Sequence, residues 1–339
     1  MDYLAVDRQL AYIHKKVASS HTNPLNTEIE KKKVLKDKTY NPILQYEKNS
    51  TDSESIKKEI SKMKFDSSVF GKLLKEKTIE MLNKINLLKS TGTSSFSPNS
   101  IKLYGKPSPD LVKHAKKFLD LEDEAVSAGY NGISAIKKFL DSFVMQGMKW
   151  QVKQKEMVVG ASFNVSKNIL YINKSRKFTD HELKRLIVHE IGTHITRAEN
   201  AKKQRYKLFL IGFPDYLATE EGLAVFNEEK AGLLTNKIVK NYAGRVVAVD
   251  LALKNSFSTT YTSLLESFSK DDAWNLALRA KRGINNTAMP GAYTKDYLYL
   301  KGYYDVKNFV KRGNVKDLYI GKIGTHHVPL IKHLNSKGN

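Results

Sequence analysis

The sequence predicts a helix-rich α+β fold in which a small β-sheet stands just ahead of the helix that carries the chemistry. Three observations lead there. Apolar residues recur at helical spacing through most of the 339 residues. Short β-rich runs gather between Trp150 and Ile172. The run Leu186-Ile187-Val188-His189-Glu190-Ile191-Gly192-Thr193-His194 then sets two histidines and a carboxylate inside an apolar helical stripe. A chain of this length buries a substantial core in one or two domains.

Taken in order, Leu4, Leu10, Ile13 and Val17 predict a first helix, followed by Asn23-Pro24. A second pattern runs from about Ser53 to Met63, and a third through Leu73, Leu74, Ile79, Leu82, Ile85 and Leu87. The stretch Ser90 to Ser100 is rich in Ser, Thr, Gly, Pro and Asn, and reads as a loop or linker. It is the candidate boundary between a basic, mainly helical segment 1–100, packed on or leading into the remainder, and a catalytic domain 101–339. Leu111–Leu119 and Asn131–Phe143 read as helices. Trp150 to Val159, Ser162–Val165 and Ile169–Ile172 read as strands, with Ser166-Lys167-Asn168 as a hairpin turn. Residues 236–280 read as almost entirely helical, with Val246, Val247, Leu251 and Trp274 among the core markers.

Thr179 followed three residues later by Glu182 forms a capping box and starts the central helix. Leu183, Leu186, Ile187, Glu190, Ile191 and His194 share one stripe. A buried carboxylate or imidazole is costly unless it is paired or bound to a metal, so these positions point to a task. The familiar zinc-peptidase helix spaces its histidines four apart. Here the spacing is five, which in a regular α-helix separates the rings by about 140°. A single π-type turn restores convergence, and Gly192 is expected to ease that distortion.

Glu221 shares a second helical stripe with Leu217, Ala224, Val225 and Glu228. His189, His194 and Glu221 are therefore the expected ligands of one Zn2+ ion, with a fourth position open to water. The same donors tolerate other divalent ions. Glu190, beside His189, is expected to act as general base on that water and to deliver the proton to the leaving amine. Glu228 is the candidate acceptor that orients a histidine ligand, with a helix salt bridge as the plain alternative. A carboxypeptidase also needs a cation for the terminal carboxylate and a donor for the oxyanion. Arg197 and Arg282 are the candidates for the first and Tyr299 for the second. His181, His326, His327 and His333 lack a ligand pattern and read as helix-end, core or surface residues.

His189 to His194, Arg197, Asn200 and Glu220-Glu221-Gly222-Leu223-Ala224 together resemble a known family. Its bacterial members are labelled flavohemoglobin expression-modulating QEGLA-motif proteins, and its animal members include the microtubule-associated tyrosine carboxypeptidases. The resemblance continues in Arg282-Gly283, in Thr294-Lys295-Asp296 and in Tyr299-Leu300-Lys301-Gly302. It reaches more loosely to Asn23-Pro24-Leu25-Asn26, Asn41-Pro42 and Tyr104-Gly105-Lys106-Pro107. Glu220 stands where many relatives carry Gln. The resemblance implies a zincin-like metallopeptidase fold and a zinc-dependent carboxypeptidase activity. For part of the family it implies the acidic C-terminal tail of α-tubulin as substrate and microtubules as partner.

Composition sets the outer limits. Lys and Arg number 57 against 35 Asp and Glu, a net charge of +22, which steers the protein toward acidic protein surfaces or other polyanions. Nucleic acid stays as the alternative partner, without a compact nucleic-acid motif to support it. With no cysteine, disulfides, thiolate zinc sites and cysteine nucleophiles are excluded. Residues 1–20 carry charges throughout, and no run approaches about 18 apolar residues. The expectation is a soluble protein of the cytoplasm, or of a host cytoplasm. Two other readings stay open: a basic nucleic-acid-binding or regulatory protein with a non-catalytic metal site, and a zinc aminopeptidase or endopeptidase. Glu190 opposes the first, because a structural metal site has no use for a base.

Overall fold

The computed structural model of the chain describes residues 2–17, 22–48, 52–122, 132–157 and 160–336. It is a helix-rich α+β structure that divides into two compact units. One comprises Met1–Leu121, Phe213–Asp215 and Ile238–Lys301; the other comprises Glu122–Gly212, Tyr216–Lys237 and Gly302–Asn339. Among the described residues no helix is long and apolar enough to cross a membrane.

The first unit is helical. Tyr3–Lys16 begins at Asp2, whose carboxylate accepts from the Ala5 amide, and it buries Leu10 and Ile13. Ser53–Ser61 and Val69–Lys89 follow the expected apolar stripes. The stretch read as a loop or linker differs. From Phe96 to Tyr104 it is a helix, with Phe96 fully buried against Leu87, Ile284 and Tyr293. Pro98 falls in the first turn, where no intrahelical amide bond is lost. The serines that suggested a linker are buried acceptors: Ser97 takes the Ala292 amide and Ser100 the Thr294 amide, each at 2.8 Å. Composition gave way to partners almost two hundred residues away. Asn236–Lys254, Phe257–Leu264 and Lys270–Lys281 supply the remaining helices as expected.

The second unit holds the sheet. β1 (Gln151–Lys155), β2 (Ala161–Asn164) and β3 (Ile169–Asn173) run in the order β1-β3-β2, with β1 parallel and β2 antiparallel to the central β3. Asn168, at φ 51°, closes the turn before β3. Val158 and Val159, expected at the end of the first strand, lie outside the described residues, as does Asn131 at the expected start of the helix now seen at Gly132–Met145. Phe139, Phe143, Trp150, Leu170 and Ile172 join Phe178, Leu183, Leu186, Ile191 and Ile195 in one core. Each such side chain contributes about 1.5–3 kcal/mol on burial. This packing seats the sheet against the His189 helix and fixes that helix's rotation about its axis.

Candidate metal centre

The His189 helix starts with the reciprocal capping box: the Glu182 amide donates to Thr179 Oγ1 at 3.1 Å, and the Thr179 amide donates to Glu182 Oε2 at 2.9 Å. Asp180–Leu186 is regular α-helix. Ile187–Ile195 is π-helical, and Thr196–Lys202 returns to α. Two threonines support the wide turns by donating to carbonyls five residues back, Thr193 to Val188 at 3.1 Å and Thr196 to Ile191 at 2.7 Å. Gly192 is not required for space. A Cβ there would meet Ile187 O at 3.8 Å, an ordinary contact.

The wide turns bring the imidazoles of His189 and His194 together, with ring centroids 4.9 Å apart at 76°. Glu221, on the helix Tyr216–Lys230, joins them, its Oε2 lying 3.8 Å from His194 Nε2. One ligand atom from each of the three residues lies within 4.8 Å of the others, and all three residues are buried. Glu190 is half-buried beside them, and its charge is felt at His194. Phe163 of the edge strand β2 stacks on His194 at 6.0 Å.

Behind each histidine stands a carboxylate, and behind each carboxylate an arginine. His189 Nδ1 is 2.6 Å from Glu228 Oε1, which also accepts from Arg185 Nη1 at 3.0 Å. His194 Nδ1 is 2.9 Å from Glu220 Oε1, and Glu220 Oε2 accepts from Arg197. With both Nδ1 positions engaged, the two Nε2 atoms are left to a ligand. Burial alone would lower the His194 pKa, yet the bond to Glu220 and the charges of Glu220, Glu221 and Glu190 lift it to about 9. Burial would raise Glu220, but Arg197 and then His194 hold it down to about 2. Glu228 is likewise held low against burial by His189 and Arg185.

These charges test whether a metal ion fits. With neutral histidines, Glu190, Glu220, Glu221 and Glu228 outweigh Arg185 and Arg197 by two negative charges, which one divalent cation cancels. Two imidazoles and a carboxylate are a donor set suited to Zn2+. Among the described residues, His189, His194 and Glu221 are the group that can hold such an ion. His327 instead is buried, accepts the Gly324 amide through Nδ1 at 2.9 Å, and is held down by burial to about 3.

Glu221 is placed by a close helix contact. A Cβ on Gly222 would lie 2.0 Å from the backbone carbon of Gly302, and a Cβ on Gly302 would lie 1.7 Å from the Ala218 carbonyl oxygen. The helices Tyr216–Lys230 and Leu298–Val310 therefore touch backbone to backbone beside the ligand.

Arg197 corrects an expectation. It is fully buried, donating to Glu220 and to the carbonyls of Leu318, Gly321 and Ile323 at 2.9, 3.0 and 2.7 Å. It supports Glu220 and leaves no donor pointing at a substrate. Arg282 and Tyr299 belong to the first unit. Arg282 Nη2 lies 3.4 Å from Asp296, while Tyr299 stacks on Tyr242 at 5.6 Å. Sequence reasoning missed Glu220, Arg185 and Arg245. Arg185 had a signal, one turn before His189; Glu220 was read only as the neighbour of a ligand.

The fold and site define a helix-rich α+β protein with a buried two-histidine, one-glutamate group able to hold a metal ion. Residues 33–339 match the family model described as microtubule-associated tyrosine carboxypeptidase, and the chain belongs to that family. Among individual relatives, microtubule-associated tyrosine carboxypeptidase 1 of Rattus norvegicus and that of Homo sapiens are each 30% identical over 128 residues, covering 35% of this chain and 26% of the relative. The protein MATCAP2 of Mus musculus is 29% identical over 171 residues, covering 46% of this chain and 31% of its own length. The chain thus spans about a quarter to a third of the curated relatives it matches.

Proposed function

We propose that the chain is a zinc-dependent, zincin-like metallocarboxypeptidase that removes the C-terminal residue of an acidic protein or peptide, with the C-terminal tyrosine of the α-tubulin tail as the leading substrate. The observation that carries this reading is the convergence of His189, His194 and Glu221 on a π turn with Glu190 adjacent. Family membership and the relatives' names support the tyrosine carboxypeptidase assignment. The net charge of +22 favours an acidic chain as partner.

A zinc ion held by His189, His194 and Glu221 would supply Lewis acidity to the scissile carbonyl and to water. Glu190 accepts the proton of the attacking water and returns it to the leaving amine. Glu228 and Glu220 fix the ring planes of His189 and His194 through Nδ1, and Arg185 and Arg197 keep those carboxylates ionised. The free edge of β2, beside His194, offers backbone groups to an extended peptide.

The test combines metal analysis of the purified protein with mass spectrometry of α-tubulin tail peptides incubated with wild type and Glu190→Gln. One zinc per chain and loss of a single tyrosine, slowed about 10²- to 10⁴-fold in the variant, is the expected result. Zinc with cleavage only of other C termini removes the tubulin assignment; absence of bound metal overturns the mechanism.

A further inference from the structure

We infer that the first unit carries a carboxylate receptor of its own, built on Arg245 with Arg279 and Arg282, which takes a side-chain or terminal carboxylate of an acidic peptide. Arg245 lies on the helix Asn236–Lys254. Its guanidinium sits 4.5 Å over the ring of Tyr299 and 4.9 Å over that of Tyr242, and those rings stack on each other at 17°. Its Nε donates to Asn241 Oδ1 at 3.2 Å. The two rings and this bond fix the plane of the guanidinium, while its two Nη groups make no hydrogen bond among the described residues.

The neighbouring charges leave that fork unmatched. Asp296, 2% exposed, is the carboxylate of the cluster, and both of its oxygens are already used. Arg279 Nε is 2.5 Å from Oδ2, and Arg282 Nη2 is 3.4 Å from Oδ1. Arg282 has a further buried donor, Nε, with no hydrogen-bond partner, and its guanidinium lies 4.9 Å over the ring of Tyr293. Three guanidinium groups thus share one carboxylate. Burial and then repulsion from Arg279 hold the Arg245 pKa below its ordinary value, as expected where cations are crowded without enough counter-charge.

The shape of the receptor selects its ligand. A guanidinium pinned flat on aromatic rings offers its Nη donors in one plane, which matches the two coplanar oxygens of a carboxylate; a lysine ammonium offers no such fork. The site does not rest on the peptidase reading, because it needs neither the metal nor Glu190.

The probe is a fluorescein-labelled, N-acetylated, C-terminally amidated hexaglutamate peptide, titrated against the full chain by fluorescence anisotropy. Arg245→Met is expected to weaken binding at least about tenfold, the loss anticipated for one charge-assisted pair. Arg245→Lys keeps the charge and is expected to lose nearly as much. Lys316→Met, a matched charge loss in the second unit, should change affinity less than about twofold; equal effects from Arg245→Met and Lys316→Met would mean diffuse polyelectrolyte attraction and would overturn the site. Thermal melting shows whether Arg245→Met folds, and if it does not, Arg245→Lys decides. Glutarate should displace the peptide at lower concentration than inorganic phosphate; the reverse order would make the ligand a phosphoryl group and overturn the carboxylate assignment. Removal of metal with 1,10-phenanthroline, a neutral chelator, should leave the affinity unchanged. Loss of binding on chelation would place the peptide at the metal instead.

Discussion

Replacing Gly222 with Ala separates the two glycines that flank the ligands. The new methyl would stand 2.0 Å from the Gly302 backbone carbon. An ordinary carbon–carbon contact is about 3.5 Å, so the helices Tyr216–Lys230 and Leu298–Val310 must part by about 1.5 Å. Neither side of the contact is a flexible side chain that can swing away. Overpacking of this kind costs about 1–3 kcal/mol, and a backbone-to-backbone clash belongs at the upper end. That corresponds to a melting shift of roughly 6–12 °C for domains of about 150–250 residues. Glu221, the next residue, moves with its helix, whereas ligand distances tolerate only about 0.2 Å. Zinc affinity, measured by competition with a chromophoric chelator, should fall at least about tenfold. Gly192→Ala is the control: its methyl meets Ile187 O at 3.8 Å, and both the melting temperature and zinc affinity should stay near wild type. A Gly222→Ala protein that melts and binds zinc like wild type would refute the reasoning.

Other perturbations have equally definite outcomes. Glu228→Ala removes the acceptor of His189 Nδ1 and should weaken zinc binding about 10- to 100-fold in the same chelator assay; unchanged affinity would deny Glu228 that role. Arg197→Met strips Glu220 of its buried counter-charge and should cost about 3–5 kcal/mol in urea unfolding. A stable Arg197→Met protein that had lost affinity for C-terminal carboxylates would restore the role expected from the sequence. Asp296 supplies a pH dependence: burial would raise its pKa, but Arg279, Arg282 and Arg245 hold it well below the ordinary carboxylate value of 3.8. The folded form therefore binds fewer protons than the unfolded one, so this contribution is complete above pH 3.8 and is lost as the pH falls through and below it. Urea midpoints from pH 6 down to pH 2 should fall more steeply for wild type than for Asp296→Asn; parallel curves would sink the assignment.

The convergence of His189, His194 and Glu221 was legible because each lies on an apolar helical stripe, so burial alone turned them toward one another. The five-residue interval announced the π turn, since ordinary helix would have splayed the rings. What that interval concealed was its support, which comes from the hydroxyls of Thr193 and Thr196 rather than from Gly192. Other features depend on partners remote in sequence. Arg197 resembles a free cation until the carbonyls of residues 318–323 are folded onto it. The Ser90–Ser100 stretch has the composition of a linker, and only its burial against residues 284–294 makes a helix of it. Glu220 sits about 100° around the helix from Glu221, which is why adjacent carboxylates serve one histidine from different sides.

The π segment also dictates where everything after it points. Deleting one residue between Glu190 and His194 would restore the four-residue spacing of an ordinary α-helix, a change that looks conservative for the ion. It would also turn Thr196–Lys202 by about 100° relative to the helix start, carrying Arg197 away from Glu220 and from the carbonyls of Leu318, Gly321 and Ile323. The extra residue acts as a phase shifter. It lets one continuous helix present its histidines to one neighbour and its arginine to another, so a shortened motif would keep its ligands in register while disconnecting the scaffold that holds them.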